Sequence, residues 1–585
     1  MKNGITRTII LGDVLSATEK QDIVRIVQYV CFSVFFGNDS FSPKNQRIQN
    51  LPHAEDAAYN SYVSGNKKRQ ECFEGTRETI LGEIEGWLVR LGGRPIYVLH
   101  GIAGIGKSTV AQTIAQRAAN LGLLGASFFF SRNEDRRSNG KLFFSTIARQ
   151  LSQYDPEFAS SIGAALERKP DVPTRGIWDQ LNELIINPLH GLCRLRNRSV
   201  LIVIDAMDEC DVQDAKEILN VLKRKVPELV TFKVFITTRP EQHIRHILKE
   251  NIEQFYLHEI ELSVVEADIR HYLRHRLSAE MVRNELPELK PPPWEPGLEQ
   301  LDALVRVAGK LFIIASTAVR FILDTVEQNP RLQMARLLDG FEEDYTIQRP
   351  EQALDDIYLQ ILRSAVPEGS GSRIVESFQT VIGTTILLRD PLPRQALANL
   401  ITADIDDITR ALSHLHSIIP PSSQDDSLHI HHKSFPDFIT DGERCRDKRF
   451  LIIPKVHHSR IADRCFRIMG RHLRENICKL GFPERYLDNS EVEHLTDGRV
   501  SKELIYACIY WAEHLSQADT ENNELLQQVE NFAFNHILNW LEVLSLIGRL
   551  DVAHPALEYS KRFASDVSCY STCITLKSRI LQILM

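Results

Sequence analysis

Eight residues constrain this chain more than any others: Gly101-Ile102-Ala103-Gly104-Ile105-Gly106-Lys107-Ser108 fit the pattern G-x-x-x-x-G-K-[ST]. An apolar run, Ile96-Tyr97-Val98-Leu99-His100, leads directly into them, and Ser108-Thr109-Val110-Ala111 opens a helical stretch. That strand–loop–helix setting is the one in which such a loop wraps phosphates. Glycines let successive N–H groups turn inward with no Cβ in the way, and the helix start adds unpaired N–H groups and the positive end of its dipole. Residues 101–109 are therefore the expected phosphate cradle, with Lys107 on the β- and γ-phosphates and the Ser108 hydroxyl on Mg²⁺.

A second motif narrows the chemistry. Val200-Leu201-Ile202-Val203-Ile204-Asp205-Ala206-Met207-Asp208-Glu209 reads as a buried strand that ends in three carboxylates. Asp205, at the strand's carboxyl end, is expected to hold Mg²⁺ through water beside Ser108. Asp208 or Glu209 is expected to polarise a water for in-line attack on the γ-phosphate. A third run, Val234-Phe235-Ile236-Thr237-Thr238-Arg239-Pro240, ends in hydroxyls and an arginine. The guanidinium fork of Arg239 suits it to report a γ-phosphate. No Asn-Lys-x-Asp segment for reading guanine follows any strand, which favours adenine and hence ATP/ADP with Mg²⁺.

The strands expected around these motifs are 96–100, 126–130, 200–205, 234–238 and 255–257, with helical patterns between them. Short apolar runs of this kind belong to a doubly wound parallel sheet covered on both faces. Beyond His258 the strand signal fades. Asp268, Ile269, Tyr272, Leu273 and Leu277 share a helical face, a second helix runs from Gly309 to Leu323, and Pro367–Ser372 reads as a loop. A short extended pair is expected around 420–426 and 428–431, compatible with a winged helix. The remainder is helical, with Phe534, Ile537, Leu538, Leu541 and Leu544 at helical spacing. No repeat of 20–50 residues stands out.

These residues together resemble the NACHT group of STAND P-loop NTPases, the nucleotide switches of NOD-like receptors and their fungal relatives. Asp205-Ala206-Met207-Asp208-Glu209 looks like that group's acidic motif, with Ala206 where a Gly is usual. Thr237-Thr238-Arg239-Pro240 is similar to its sensor strand. His432-Lys433-Ser434-Phe435-Pro436-Asp437-Phe438-Ile439 is similar to a signature of its winged-helix domain, and Cys72-Phe73-Glu74-Gly75-Thr76-Arg77 to its lead-in segment. The resemblance covers about residues 70 to 550. It implies an unassigned segment 1–70, a nucleotide-binding domain 71–260, a small helical domain 261–345, a winged-helix domain 346–445 and a helical domain 446–585. The fold class so implied is an α/β P-loop NTPase followed by mostly α-helical domains. The resemblance also implies that His432 contacts the β-phosphate of bound ADP, with His431 the neighbouring alternative. An effector domain before this architecture and a repeat sensor after it would complete the family pattern.

Three functions compete: a slowly hydrolysing signalling switch, a turnover ATPase or small-molecule kinase, and a scaffold that nucleotide merely stabilises. Arg132, Arg136 and Arg137 are the arginines a kinase lid would use. Flipping a two-state switch from 1:99 to 99:1 requires about 5.5 kcal/mol. A single charged hydrogen bond from His432 contributes about 1.5–3 kcal/mol. Self-assembly or a protein partner is therefore expected on activation.

The formal charge of −8 over 585 residues argues against a nucleic-acid partner, since duplex binders carry a basic footprint. The ten cysteines form no C-x-x-C pair, so neither a zinc site nor a redox motif is expected. The apolar stretch Ile23–Phe36 is interrupted by Arg25 and Gln28 and is too short to span a bilayer. No membrane partner is expected, and the location expected is cytoplasmic.

Overall fold

The computed structural model describes residues 44–566, except 64–66, 91–92, 133, 191–198, 230, 249–251, 290–293, 340–350, 420–425, 431, 480–497 and 520–522. At its centre lies a parallel sheet of β1 (Ile96–His100), β2 (Leu124–Phe129), β3 (Val200–Asp205), β4 (Phe232–Thr238) and β5 (Glu253–Tyr256), in the order β2-β3-β4-β1-β5. Alternate residues of each strand feed two separate cores. Tyr97, Leu99, Leu201, Val203 and Phe235 join one, while Ile96, Val98, Ile202, Ile204, Val234 and Ile236 join the other. A period of two with both faces apolar produces near-continuous hydrophobic strands.

Helices α1 (Glu78–Val89) and α2 (Lys107–Asn120) cover the first face, placing Ile80, Leu81, Ile84, Val110, Ala111 and Ile114 in its core. The second face is covered by α3 (Phe143–Tyr154), α4 (Pro156–Arg168) and α5 (Val212–Lys225). Helix α5 shows why such segments form. Asp211 caps it by accepting from the N–H groups of Gln213 and Asp214, and Lys223, Arg224 and Lys225 lie at its negative end. Ala215, Ile218, Leu219 and Leu222 form its buried stripe.

The strands match expectation to within two residues, and the shifts have local causes. Strand β2 begins at Leu124 because Gly125 has no Cβ; one there would meet Val200 and Leu151. Strand β4 begins at Phe232 because Lys233, though charged, is hidden with its ammonium over the Trp87 ring at 5.3 Å. Strand β5 stops at Tyr256 because Leu257–Glu259 tightens into a 3₁₀ turn.

The first core runs on without interruption into the helices that follow: α6 (Leu262–Arg276), α7 (Phe312–Ile322), α8 (Gln352–Ala365), α9 (Ser372–Leu387), α10 (Ser434–Ile439), α11 (Pro454–His472) and α12 (Lys502–Ser516). The helical part is thus packed on the face of the sheet that carries α2. Part of the extended pair expected near 420–431 lies outside the described residues; what is described there is a single bridge between Pro393 and Ser427. The helical repeat from Phe534 to Leu544 is split, because helices Asn523–Asn535 and Ile537–Leu546 part at His536. Phe534 is accordingly 43% exposed, whereas Leu544 is fully buried. No helix among the described residues is long and apolar enough to cross a membrane.

Helices α11 and α12 bury a row of imidazoles. His458 Nδ1 meets His514 Nδ1 at 2.8 Å, and His514 Nε2 meets the Tyr506 hydroxyl at 2.7 Å. Burial lowers His457 and His458 to about 4 and holds His514 well below its usual value too. An unfolded histidine takes a proton near 6.5, so between 6.5 and 4 protons favour the unfolded chain. The melting temperature is expected to fall as pH drops from 6.5 towards 4.5. In a pH series of thermal scans, His458→Gln, with one buried imidazole fewer, should show a smaller fall.

Candidate functional site

Strands β1, β3 and β4 end together at one edge of the sheet, and each delivers one sequence motif there. The loop from Gly101 to Gly106 leaves β1 with Gly104 at φ +77° and Gly106 at φ +105°, a region that L side chains avoid. It is braced from outside. Arg77 Nη2 donates to the Ile105 carbonyl at 3.0 Å, and the Ile313 N–H donates to the Gly104 carbonyl at 3.1 Å. Lys107 Nζ curls over the loop and donates to the carbonyls of Gly101 (2.8 Å) and Ile102 (3.1 Å). Burial lowers its pKa to about 8.

Strand β4 lies between β1 and β3, so the two principal motifs are not neighbours in the sheet. Thr237 links them. Its hydroxyl donates to Asp205 Oδ1 at 2.5 Å and accepts the Ala206 N–H at 2.9 Å. Ala206 sits at φ +55°, the backbone state in which a glycine would be at ease. Asp205 is buried behind this contact, whereas Asp208 and Glu209 line the cavity with Ser108 and Thr109.

Both forward acids have cationic partners. Asp208 accepts the backbone N–H of Arg239 at 2.9 Å and pairs with its Nε at 3.2 Å. Glu209 accepts the Arg132 N–H at 3.2 Å and pairs with Lys433 Nζ. Arg239 continues to Asp437, Nη1 to Oδ2 at 3.1 Å. The segment 432–437 is thus tied by ion pairs to the ends of β3 and β4.

His432 stands over the phosphate loop, its Cε1 3.8 Å from where a Cβ on Gly104 would lie. Its Nδ1 accepts the Ser434 N–H at 3.2 Å and lies 2.6 Å from the Ser434 hydroxyl, which meets Tyr358 Oη at 2.8 Å. An Nδ1 used as acceptor leaves the proton on Nε2. Burial, with Lys107 and Arg239 nearby, lowers its pKa to about 4, so it is neutral at pH 7. His431 lies outside the described residues.

Lys107, Ser108, Asp208, Glu209, Arg239, His432 and Lys433 line one cavity of about 840 Å³, within the size range of small-ligand pockets. Its far walls come from the lead-in segment and from α6 and α7: Phe73, Tyr272, Phe312 and Arg320. The positioning roles of Thr237, Arg77 and Ile313, and the pairing of Lys433 and Asp437, escaped the sequence reading. Lys433 and Asp437 stand inside a motif recognised there, but nothing in their spacing says which acid or arginine they meet. Arg137 lines the cavity and is tied to Glu134 Oε1 at 2.6 Å and to the Asp56 carbonyl at 3.0 Å.

The donor set can be tested for Mg²⁺. Among the described residues no three His, Cys, Asp or Glu side chains cluster as ligands. Magnesium carried on a nucleotide needs only one or two carboxylates besides phosphates and waters; Ser108 lines the cavity, while Asp205, set behind it with Oδ1 held by Thr237, would reach such an ion through water.

The family model described as "Nephrocystin 3, N-terminal" matches residues 75–239, from the lead-in segment to Arg239. No curated protein matches. Similar solved structures include a Signal Transduction ATPase with Numerous Domains carrying a tetratricopeptide repeat sensor, from Pyrococcus horikoshii: 14% identity, TM-score 0.38, covering 92% of this chain and 66% of that one. This chain therefore spans just under two thirds of that relative's length. A Walker-type ATPase of Pyrococcus abyssi follows at 14% identity and TM-score 0.30, covering 62% of this chain and 96% of that one. The Orc1 protein of Aeropyrum pernix in complex with DNA is similar at 15% identity and TM-score 0.28, covering 70% of this chain and 99% of that one. Drosophila ORC bound to DNA is also among the similar structures.

The expectation of no nucleic-acid partner, drawn from net charge, is not upheld. A total of −8 is a sum over the whole chain and does not describe any one surface.

Thr237→Val keeps the shape of the side chain while leaving the buried Ala206 N–H without its acceptor. It is expected to cost about 1–3 kcal/mol in urea denaturation, and Thr237→Ser should restore most of that loss. The parallel sheet, its glycine loop and its acidic strand make this chain an α/β P-loop NTPase fold continued by helices.

Proposed function

We propose that the chain is a nucleotide-dependent switch that binds ADP or ATP with Mg²⁺ and hydrolyses ATP slowly. The observation that carries the reading is the pair of ion contacts closing segment 432–437 over the phosphate site: Lys433 with Glu209, and Arg239 with Asp437. In this arrangement the N–H groups of residues 104–109 take the α- and β-phosphates, and Lys107 reaches the β- and γ-phosphates. The Nε2–H of His432 serves as a further donor to the β-phosphate. Ser108 and Asp205 hold the magnesium, which neutralises phosphate charge when bound.

The same contacts account for slow chemistry. A carboxylate engaged by an arginine or lysine is a poor base towards water, and both forward acids are so engaged. A γ-phosphate brings negative charge beside Arg239 and Lys433, where it competes with Asp437 and Glu209 for the two cations. Hydrolysis and opening are then coupled through the same side chains. The hold on the closed form no longer rests on His432 alone. The two ion pairs are partly exposed, with Lys433 at 36%, Arg239 at 23% and Asp437 at 30%, so they add less than buried contacts would and leave part of the roughly 5.5 kcal/mol of a full flip to another source. Assembly on activation, with another copy or a protein partner, remains part of this reading. Signalling in the manner of NOD-like receptors and the 346–445 winged helix belong to it as well.

Purified protein should release stoichiometric ADP on denaturation and turn over ATP at about 10⁻⁴–10⁻² s⁻¹, as unassisted switches do. Turnover above about 1 s⁻¹ would make it a working ATPase instead. Lys433→Ala is expected to speed ADP release about tenfold, the equivalent of about 1.4 kcal/mol, as followed with a fluorescent ADP analogue. Lys107→Ala should abolish binding. If Lys433→Ala leaves release unchanged, segment 432–437 is not the lock.

A further inference from the structure

We propose that Arg320 reads the nucleotide at the end of the cavity away from the phosphates, donating to acceptor atoms on the edge of a purine base. The inference rests on the nucleotide reading above and names the residue that would set its base dependence.

Helix α7 runs along the cavity wall. Ile313 at its start holds the phosphate loop through the Gly104 carbonyl, and Ser316, Val319 and Arg320 line the same cavity further along. A rise of 1.5 Å per residue puts Arg320 about 10 Å beyond Ile313 along the axis. The two ends of the cavity are electrically distinct. Lys107 and His432 feel Arg239 and the acids Asp205, Asp208 and Asp437. The titratable neighbours of Arg320 are the Tyr272 phenol, Arg276 and Glu285.

Arg320 is half-buried and makes no hydrogen bond or ion pair with any described residue. The nearby Glu285 is engaged by Arg276 at 3.1 Å. A guanidinium partly removed from water and unmatched is costly, and an acceptor on a ligand relieves that cost. The surroundings suit a flat ring. Phe73 packs against Tyr272 and His275 at centroid distances of 5.4 and 5.0 Å, and Phe312 lies under the Arg77 guanidinium at 4.9 Å. Arginine only donates. It therefore matches the N7 acceptor that adenine and guanine share, and the O6 that guanine adds. Phosphate is the weaker candidate for this position, because the phosphate end already has Lys107, Arg239 and Lys433.

The test measures affinities of ADP, GDP and pyrophosphate for the full chain and for Arg320→Leu and Arg320→Lys. Arg320→Leu is expected to weaken the better-bound nucleotide by about 10- to 100-fold, the range for a charged hydrogen bond. Pyrophosphate, which has no base, should change less than about twofold, and Arg320→Lys should recover part of the loss. Without nucleotide, Arg320→Leu should melt no lower than the parent, because it removes a cation that no described residue pairs. An equal loss for pyrophosphate, unchanged nucleotide affinity, or a lower melting point with nucleotide binding intact each overturns the inference while leaving the nucleotide reading standing. If the parent chain binds none of the three ligands, the nucleotide reading itself fails, and this inference with it.

Discussion

A loop that points several N–H groups at one spot must pass through backbone states that only glycine enters freely, and it must be held there against its own carbonyls. Everything else at this edge of the sheet follows from that demand. Gly104 and Gly106 provide the turn, Ile105 is buried as the anchor, and Arg77 and Ile313 occupy the carbonyls of Ile105 and Gly104. Because Arg77 precedes the sheet and Ile313 follows it, the cradle is braced by chain segments from both sides. The continuous core joining α2 to the later helices packs these segments together.

Charge sets the second level of organisation. Buried carboxylates are tolerable only with partners, and here the partners come from three places. Thr237 serves Asp205 from the adjacent strand, Arg239 serves Asp208 from the next turn, and Lys433 serves Glu209 from a segment more than two hundred residues away. The same Arg239 is shared with Asp437. Asp208 and Glu209 are therefore both tied to the distant segment, Glu209 directly and Asp208 through Arg239. A set of charges shared in this way couples the ends of β3 and β4 to the distant segment.

Period-two hydrophobicity, glycine spacing and terminal carboxylates were legible because each is a local property, read within ten residues. The five strands and the phosphate loop belong to this class. Where the reading slipped, tertiary neighbours had overridden local character: Lys233 stays in a strand because Trp87 covers it, and Phe534 stays outside because the helix breaks two residues later. The charge argument against nucleic acid failed for a related reason, since a chain-wide sum carries no information about where the charges lie.

By itself the sequence determined where a glycine loop leaves one strand and which acids close another, because backbone freedom at glycine and strand termination are written in adjacent positions. Only the tertiary structure decided who neutralises those acids, which way the His432 ring presents its proton, and that Arg320 faces the same cavity as Lys107. Those are properties of side chains brought together across hundreds of residues, and pair distances of that kind leave no trace in the order of one chain.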